Sequence, residues 1–94
     1  MPEIRCLALA DLDPALARAT AGQFQLEACA SPEALLARQD IDLVHIATPP
    51  FTHHALAWAA LEAGKHVLCE KPLATDLDDA RAMVALSREK RRLL

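Results

Sequence analysis

Apolar residues in this chain come in short runs separated by stretches of helix formers. Ile4 to Ala10 is apolar except for Arg5, and a short run ending on a polar residue suits a buried parallel strand, with Asp11 at its carboxyl end. Asp13 followed by Pro14 reads as an N-cap with proline at the first helical position. It opens a helix that runs to about Ala21 and that Gly22 stops. Leu26 to Cys29 is a weaker strand candidate, and Ser31-Pro32 repeats the cap-plus-proline signal ahead of a helix from Glu33 to about Arg38. Asp42 to Ala47 is a better strand, rich in branched side chains, and Thr48-Pro49-Pro50 ends it because proline cannot donate to a ladder.

From His53 to Ala63 the residues favour helix, with Leu56, Ala59, Ala60 and Ala63 forming an apolar stripe and Gly64 placed as the C-terminal stop. His66 to Glu70 is another short strand. Thr75 with Asp78 three residues on resembles a capping box, and Leu77, Ala80, Met83 and Val84 give the following helix an apolar face as far as about Arg91. Leu93-Leu94 looks like the start of a further strand. Strand and helix thus alternate four times, with connections too long for hairpins and strands apolar enough to need cover on both faces. The expected fold class is α/β, a partial doubly wound parallel sheet.

Composition narrows the classes of function. A chain of 94 residues with 53% hydrophobic and 24% charged residues is long enough for one small domain around one core. Ten basic and thirteen acidic residues give a net charge of -3, which favours neither nucleic acid nor an anionic membrane. The basic cluster Arg88, Lys90, Arg91, Arg92 suits a solvated helix C-terminus. No apolar stretch approaches the ~20 residues that span a bilayer, and the N-terminus lacks a signal-peptide pattern, so a cytoplasmic location is expected. Three widely spaced cysteines, Cys6, Cys29 and Cys69, fit neither a disulfide framework nor a zinc site and read as buried free thiols.

In an open parallel sheet, ligands gather beyond the carboxyl ends of the strands. Asp11 stands there after the first strand, Thr48-Pro49-Pro50 and His53 after the third, and Glu70-Lys71-Pro72 after the fourth. An acid closing an apolar strand is suited to ribose hydroxyls and repels a 2'-phosphate; an Asx turn is the alternative role for Asp11. Pro72 restricts Lys71 to extended backbone, so its ammonium would be held toward an anionic or carbonyl group, and a cis Lys71-Pro72 bond is a hypothesis. His53 either contacts a ligand or takes a solvated or capping place. His45 reads as a sheet-packing residue, Trp58 as a packing residue, and His53 with His54 as unable to chelate one metal because adjacent helical side chains point about 100 degrees apart. With only two glycines, no glycine-rich phosphate loop is present.

The segments Ala8-Leu9-Ala10-Asp11-Leu12-Asp13-Pro14, then Val44-His45-Ile46-Ala47-Thr48-Pro49-Pro50 with His53, and above all Ala60-Leu61-Glu62-Ala63-Gly64-Lys65-His66-Val67-Leu68-Cys69-Glu70-Lys71-Pro72-Leu73-Ala74, resemble the N-terminal dinucleotide-binding domain of the Gfo/Idh/MocA oxidoreductases. The resemblance implies a Rossmann-like fold and NAD(P)-linked hydride transfer at a carbon of a sugar, inositol or related polyol, with NAD as the cofactor, or NADP. It assigns Asp11 to the ribose, Thr48, Pro49, His53 and Glu70 to the cofactor, and Lys71 to both the cofactor and the catalytic site. It also implies that a first strand, a Gly-x-Gly-x-x-Gly turn and a first helix precede Met1-Pro2-Glu3, and that a substrate domain follows.

The sequence is therefore expected to be a partial dinucleotide-binding domain, 1–94, from a gene fragment or a misplaced start codon. In the family's strand order the absent strand is central, so the Ile4 and Asp42 strands lose their shared neighbour. The expected partners are a dinucleotide and a small polyol or sugar, without nucleic acid or membrane, and homo-oligomer formation is left open. The chain alone is expected to be inactive. The alternative is a noncatalytic interaction module completed by another chain.

Overall fold

A computed structural model of the chain describes residues 5–11 and 13–94. Strand and helix alternate four times: β1 (Ala8–Leu9), α1 (Pro14–Phe24), β2 (Glu27–Ala28), α2 (Pro32–Leu36), β3 (Leu43–Ile46), α3 (His53–Glu62), β4 (His66–Cys69) and α4 (Leu77–Lys90), with a 3-10 turn at Pro50–Thr52 leading into α3. The chain adopts the expected α/β class, and both strand pairs are parallel. β1 pairs with β2 and β3 with β4, as separate two-stranded sheets. The expected start of the first strand at Ile4, the placement of Met1-Pro2-Glu3 and the position of Leu12 lie outside the described residues.

The chain divides into two compact units, Met1–Arg38 and Gln39–Leu94. Its length suggested one core. Because the two strand pairs form separate sheets, each unit is instead packed around its own.

In the first unit, Glu27 N–H donates to Leu7 O at 3.0 Å and Cys29 N–H to Leu9 O at 2.8 Å, which tie β2 to β1. Asp13 caps α1 as expected, its side chain accepting from the backbone N–H groups of Ala15 at 3.0 Å and Leu16 at 3.2 Å. Gly22 does not stop this helix, contrary to expectation. The buried face formed by Ala17 and Ala21 carries α1 past it, and the left-handed turn falls at Gln25, φ 58°. Ser31 caps α2 by accepting from Ala34 N–H at 3.1 Å, and α2 ends at Leu36, two residues before the expected limit. Arg38 and Glu27 form an ion pair at 2.6 Å.

The second unit is a two-layer arrangement with α3 packed on β3–β4 and α4 packed on α3. Alternation along the strands sends Ile46 and Val67 into the core with Ala57, Ala60, Leu61, Met83 and Leu86. Leu43 and Leu68 point to the opposite face, which remains half exposed at 50% and 55%. Gly64 ends α3 as expected, at φ 80°. Its N–H donates to Leu61 O at 2.9 Å and that of Lys65 to Ala60 O at 3.0 Å, the paired bonds of a Schellman turn. No strand is assigned at Leu93-Leu94, where a further one was expected, but Leu93 lies beside β4: Val67 N–H donates to Leu93 O at 2.9 Å, and Leu93 N–H donates to His66 Nδ1 at 2.9 Å.

Several expectations about faces are corrected. The buried stripe of α3 is His53, Ala57, Ala60 and Leu61, not Leu56, Ala59, Ala60 and Ala63. Nearly every residue of α3 is apolar, so hydrophobicity alone cannot select its face. Trp58, one position off that stripe, is exposed and stands beside His54 with ring centroids 5.7 Å apart. In α4, Met83 and Leu86 are buried and Leu77 is exposed, because packing on α3 selects one of two apolar stripes. Asp76, not Thr75, caps α4, accepting from Asp78 N–H at 2.7 Å and Asp79 N–H at 3.4 Å. All three cysteines are free, but Cys6 is exposed and Cys29 and Cys69 are half-buried, since the short strands leave them at the edge of the packing. No described helix is long and apolar enough to cross a membrane.

Candidate functional site

β3 and β4 end level with one another, Ile46 facing Cys69 in register, and Glu70 N–H donates to Ile46 O at 3.0 Å. Thr48-Pro49 and Glu70-Lys71-Pro72 therefore leave the sheet side by side at its carboxyl edge. The Lys71-Pro72 peptide bond is cis, as hypothesised from the sequence. Five of the residues singled out from sequence, Thr48, Pro49, His53, Glu70 and Lys71, are thus gathered on one rim of the second unit.

His53 lies beneath this rim. It is 1% exposed, with Nδ1 at 2.7 Å from Pro72 O and Nε2 at 2.9 Å from Thr48 O. The ring is therefore not solvated; it is a strut between the two loops. Above it, the Thr52 hydroxyl donates to Pro49 O at 2.6 Å and lies 2.5 Å from the Thr48 hydroxyl. A hydroxyl has one proton, so Thr48 is the donor of that pair and its oxygen can only accept from a ligand.

Lys71 is exposed, and among the described residues its ammonium has no hydrogen bond or ion pair. Glu70 is exposed beside it, with Oε1 3.6 Å from His45 Nε2. His45 was expected to pack within the sheet. Alternation turns it to the open face instead, because Ile46 next to it points inward. Burial first, and the Glu70 carboxylate second, push the Cys69 thiol above its ordinary value. The thiol is therefore a weak nucleophile.

In the first unit, Asp11 follows β1 and is exposed. One carboxylate oxygen accepts from Asp13 N–H at 2.9 Å, the Asx turn that was the alternative role, while Asp13 does the capping. An Asx turn uses a single acceptor oxygen and does not prevent the carboxylate from receiving ribose hydroxyls.

Sequence reasoning missed Lys65. It is 6% exposed, and its ammonium donates to Ile41 O at 2.7 Å, holding the backbone just before β3. Its place directly after Gly64 gave no local sign of burial, because the acceptor lies far back in the chain. Two shallow grooves lie on the helices of this unit, one lined by His54, Ala55, Trp58, Ala59 and Ala82 and the other by Leu77, Ala80, Arg81, Val84, Ala85 and Arg88. Neither holds a rim residue. Among the described residues, no group of three or more His, Cys, Asp or Glu side chains is placed to hold a metal ion.

Residues 2–94 match the family model described as the oxidoreductase family with an NAD-binding Rossmann fold, GFO_IDH_MocA. The chain belongs to this family. It is 45% identical over 92 residues to a dTDP-3,4-didehydro-2,6-dideoxy-alpha-D-glucose 3-reductase of Saccharopolyspora spinosa, covering 98% of this chain and 28% of that protein. An inositol 2-dehydrogenase of Saccharopolyspora erythraea is 43% identical over 83 residues, covering 86% of this chain and 25% of its own. Among solved structures, a 3-ketoreductase from Actinomadura kijaniata in complex with NADP and TDP-benzene matches with a TM-score of 0.95 and 37% identity, over 100% of this chain and 29% of that one. The Gfo/Idh/MocA chain described here thus spans under a third of the length of these relatives.

Proposed function

We propose that this chain is the cofactor-binding part of an NAD(P)-dependent oxidoreductase that moves a hydride to or from a carbon of a sugar, inositol or related polyol. The observation that carries this reading is the rim itself: two loops leave the carboxyl ends of adjacent parallel strands together, with an exposed Lys71, unpaired among the described residues, on one of them. The relatives' names support the substrate class, since they reduce or oxidise sugars and inositol.

The residues present fit a dinucleotide. On the first unit Asp11 would accept from ribose hydroxyls; on the second, the Thr48 oxygen would accept from an amide or hydroxyl donor, and Glu70 and Lys71 would hold the cofactor. The cofactor supplies the hydride acceptor or donor. Lys71 would supply an ammonium to stabilise negative charge that develops on the oxygen of the reacting carbon as that carbon is oxidised or reduced.

Only two glycines occur, at Gly22 and Gly64, so no glycine-rich turn is available to hold the pyrophosphate. A micromolar affinity corresponds to about 8 kcal/mol, and losing that cradle leaves millimolar binding or weaker. Titration of the chain with NAD and, separately, NADP, followed by backbone amide NMR, tests the reading. We expect shifts at Asp11, Thr48 and Lys71 in the millimolar range, larger with NAD because Asp11 repels a 2'-phosphate. Shifts confined to other surfaces would refute the rim, and equal response to both dinucleotides would refute the assignment of Asp11.

A further inference from the structure

We propose that Phe51 is a stacking platform for a flat heteroaromatic ring that carries an N–H donor, with the Thr48 hydroxyl oxygen receiving that donor. Such a platform rests on the role given above to the rim and deepens it. Phe51 is 77% exposed and is the most exposed large hydrophobic side chain among the described residues. It stands in the 3-10 turn Pro50–Thr52, between the loop that carries Thr48 and Pro49 and the start of α3. A lone apolar side chain at a surface is ordinary. The backbone beneath Phe51 is what sets it apart.

That backbone is held on both sides of Phe51. Pro49 and Pro50 fix their own φ angles. The N–H and the hydroxyl of Thr52 both donate to Pro49 O, at 2.9 Å and 2.6 Å. His53 N–H donates to Pro50 O, and the buried His53 ring lies 2.9 Å from Thr48 O. An aromatic side chain on a pre-set backbone has only two torsions left to fix when a ligand arrives, so the entropic cost of contact is low.

Thr48 supplies the polarity. Thr52 gives its proton to Pro49 O, so Thr48 gives its own to Thr52, 2.5 Å away, and its oxygen meets a ligand only as an acceptor. That oxygen favours an N–H or O–H and disfavours a phosphate oxygen, which is itself an acceptor. An apolar ring face and a fixed acceptor on one held turn match a flat ring with an amine or carboxamide at its edge. Both heterocycles of a dinucleotide have this chemistry, adenine through its amine and nicotinamide through its carboxamide. A sugar has the donors but no aromatic face.

The test uses the full 94-residue chain with ¹³C-labelled phenylalanine and a ¹⁵N-labelled backbone, titrated separately with nicotinamide mononucleotide, AMP and ribose 5-phosphate. Phe24, 61% exposed on the first unit, is the internal control. The Phe51 ring signals are expected to move with a heterocyclic probe, together with the Thr48 amide, while Phe24 stays in place. Whichever probe moves them identifies the ring. Ribose 5-phosphate is expected to leave Phe51 unmoved. Phe51→Leu, which keeps an apolar side chain at an exposed position, is expected to weaken that binding about three- to tenfold, the size of one aromatic stacking contact, and Phe51→Tyr to retain it. Unchanged affinity in the Leu variant, equal shifts at Phe24 and Phe51, or an equal response to ribose 5-phosphate would overturn the proposal. NAD shifts at Thr48 and Lys71 with the Phe51 ring unmoved would sink the platform alone, whereas no rim shift with NAD would sink the role of the rim and the platform with it.

Discussion

The two units of the chain use the same alternation of strand and helix, and each has side-chain caps, Asp13 and Ser31 in the first and Asp76 in the second, yet they differ in what lies between the layers. In the first, the buried apolar residues among those described are Ala17 and Ala21, and the strands are two residues long. In the second, Ile46, Leu61, Val67, Met83 and Leu86 are buried with two alanines, under strands of four residues. Burial of a large aliphatic side chain contributes roughly 1.5–3 kcal/mol, against about 0.8 kcal/mol for a single methyl-sized group. The difference teaches that caps decide where a helix starts, whereas its stability comes from the face it buries. In functional terms, the proposed ribose acid Asp11 stands on the thin unit and the Lys71 rim on the thick one.

The strongest blow to this comparison is Leu61→Ala. Leu61 is fully buried, so a cavity there is expected to cost about 2–5 kcal/mol. Hydrogen exchange should register that loss in β3, β4, α3 and α4 while amides of 5–38 stay unchanged; a uniform loss would show that the two units unfold as one.

The two glycines are expected to respond with opposite signs. Gly64 has φ 80°, so Gly64→Ala forces a side chain into the left-handed region at a cost of about 1–2 kcal/mol. Gly22 lies inside α1, and a Cβ there meets nothing within 4 Å. Gly22→Ala is therefore expected to stabilise α1 by about 0.5–1 kcal/mol, and helical circular dichroism of the variant should rise. A loss of helix would mean that the glycine serves a role in the thin unit that its open surroundings do not show.

The smallest effect concerns Cys69. Because its pKa is raised in the folded state, the fold keeps a proton that the unfolded chain releases. That contribution is complete below the ordinary thiol pKa and is lost as pH rises through the folded value, so the second unit should weaken only at alkaline pH. Iodoacetamide is expected to modify exposed Cys6 fastest and Cys69 slowest, and Glu70→Gln to speed Cys69 modestly, since burial is the larger cause. Equal rates at the two thiols would contradict this order.

Local signals were legible where one residue decides the geometry. Asp13-Pro14 and Ser31-Pro32 cap their helices as read, and Gly64 stops α3. Adjacent candidates were harder: Thr75 and Asp76 both have capping chemistry, and the choice depends on which of them the chain leaves extended, here Asp76 at φ -136° and ψ 136°. The rim was legible because strand ends, prolines and charged residues coincide in the sequence. The burial of His53 and Lys65 was not, because each is held by carbonyls from distant segments, and nothing in a local pattern of polar and apolar residues reports such a partner.

The most direct test of the central claim, that the Lys71 rim rests on a packed unit and Asp11 on a thin one, is residue-resolved hydrogen exchange on the intact chain. The account predicts that the slowest amides are those of Ile46, Val67, Leu61 and Met83, with the amides of α1 and β2 exchanging at least tenfold faster. Equal protection in α1 and α3 would contradict it.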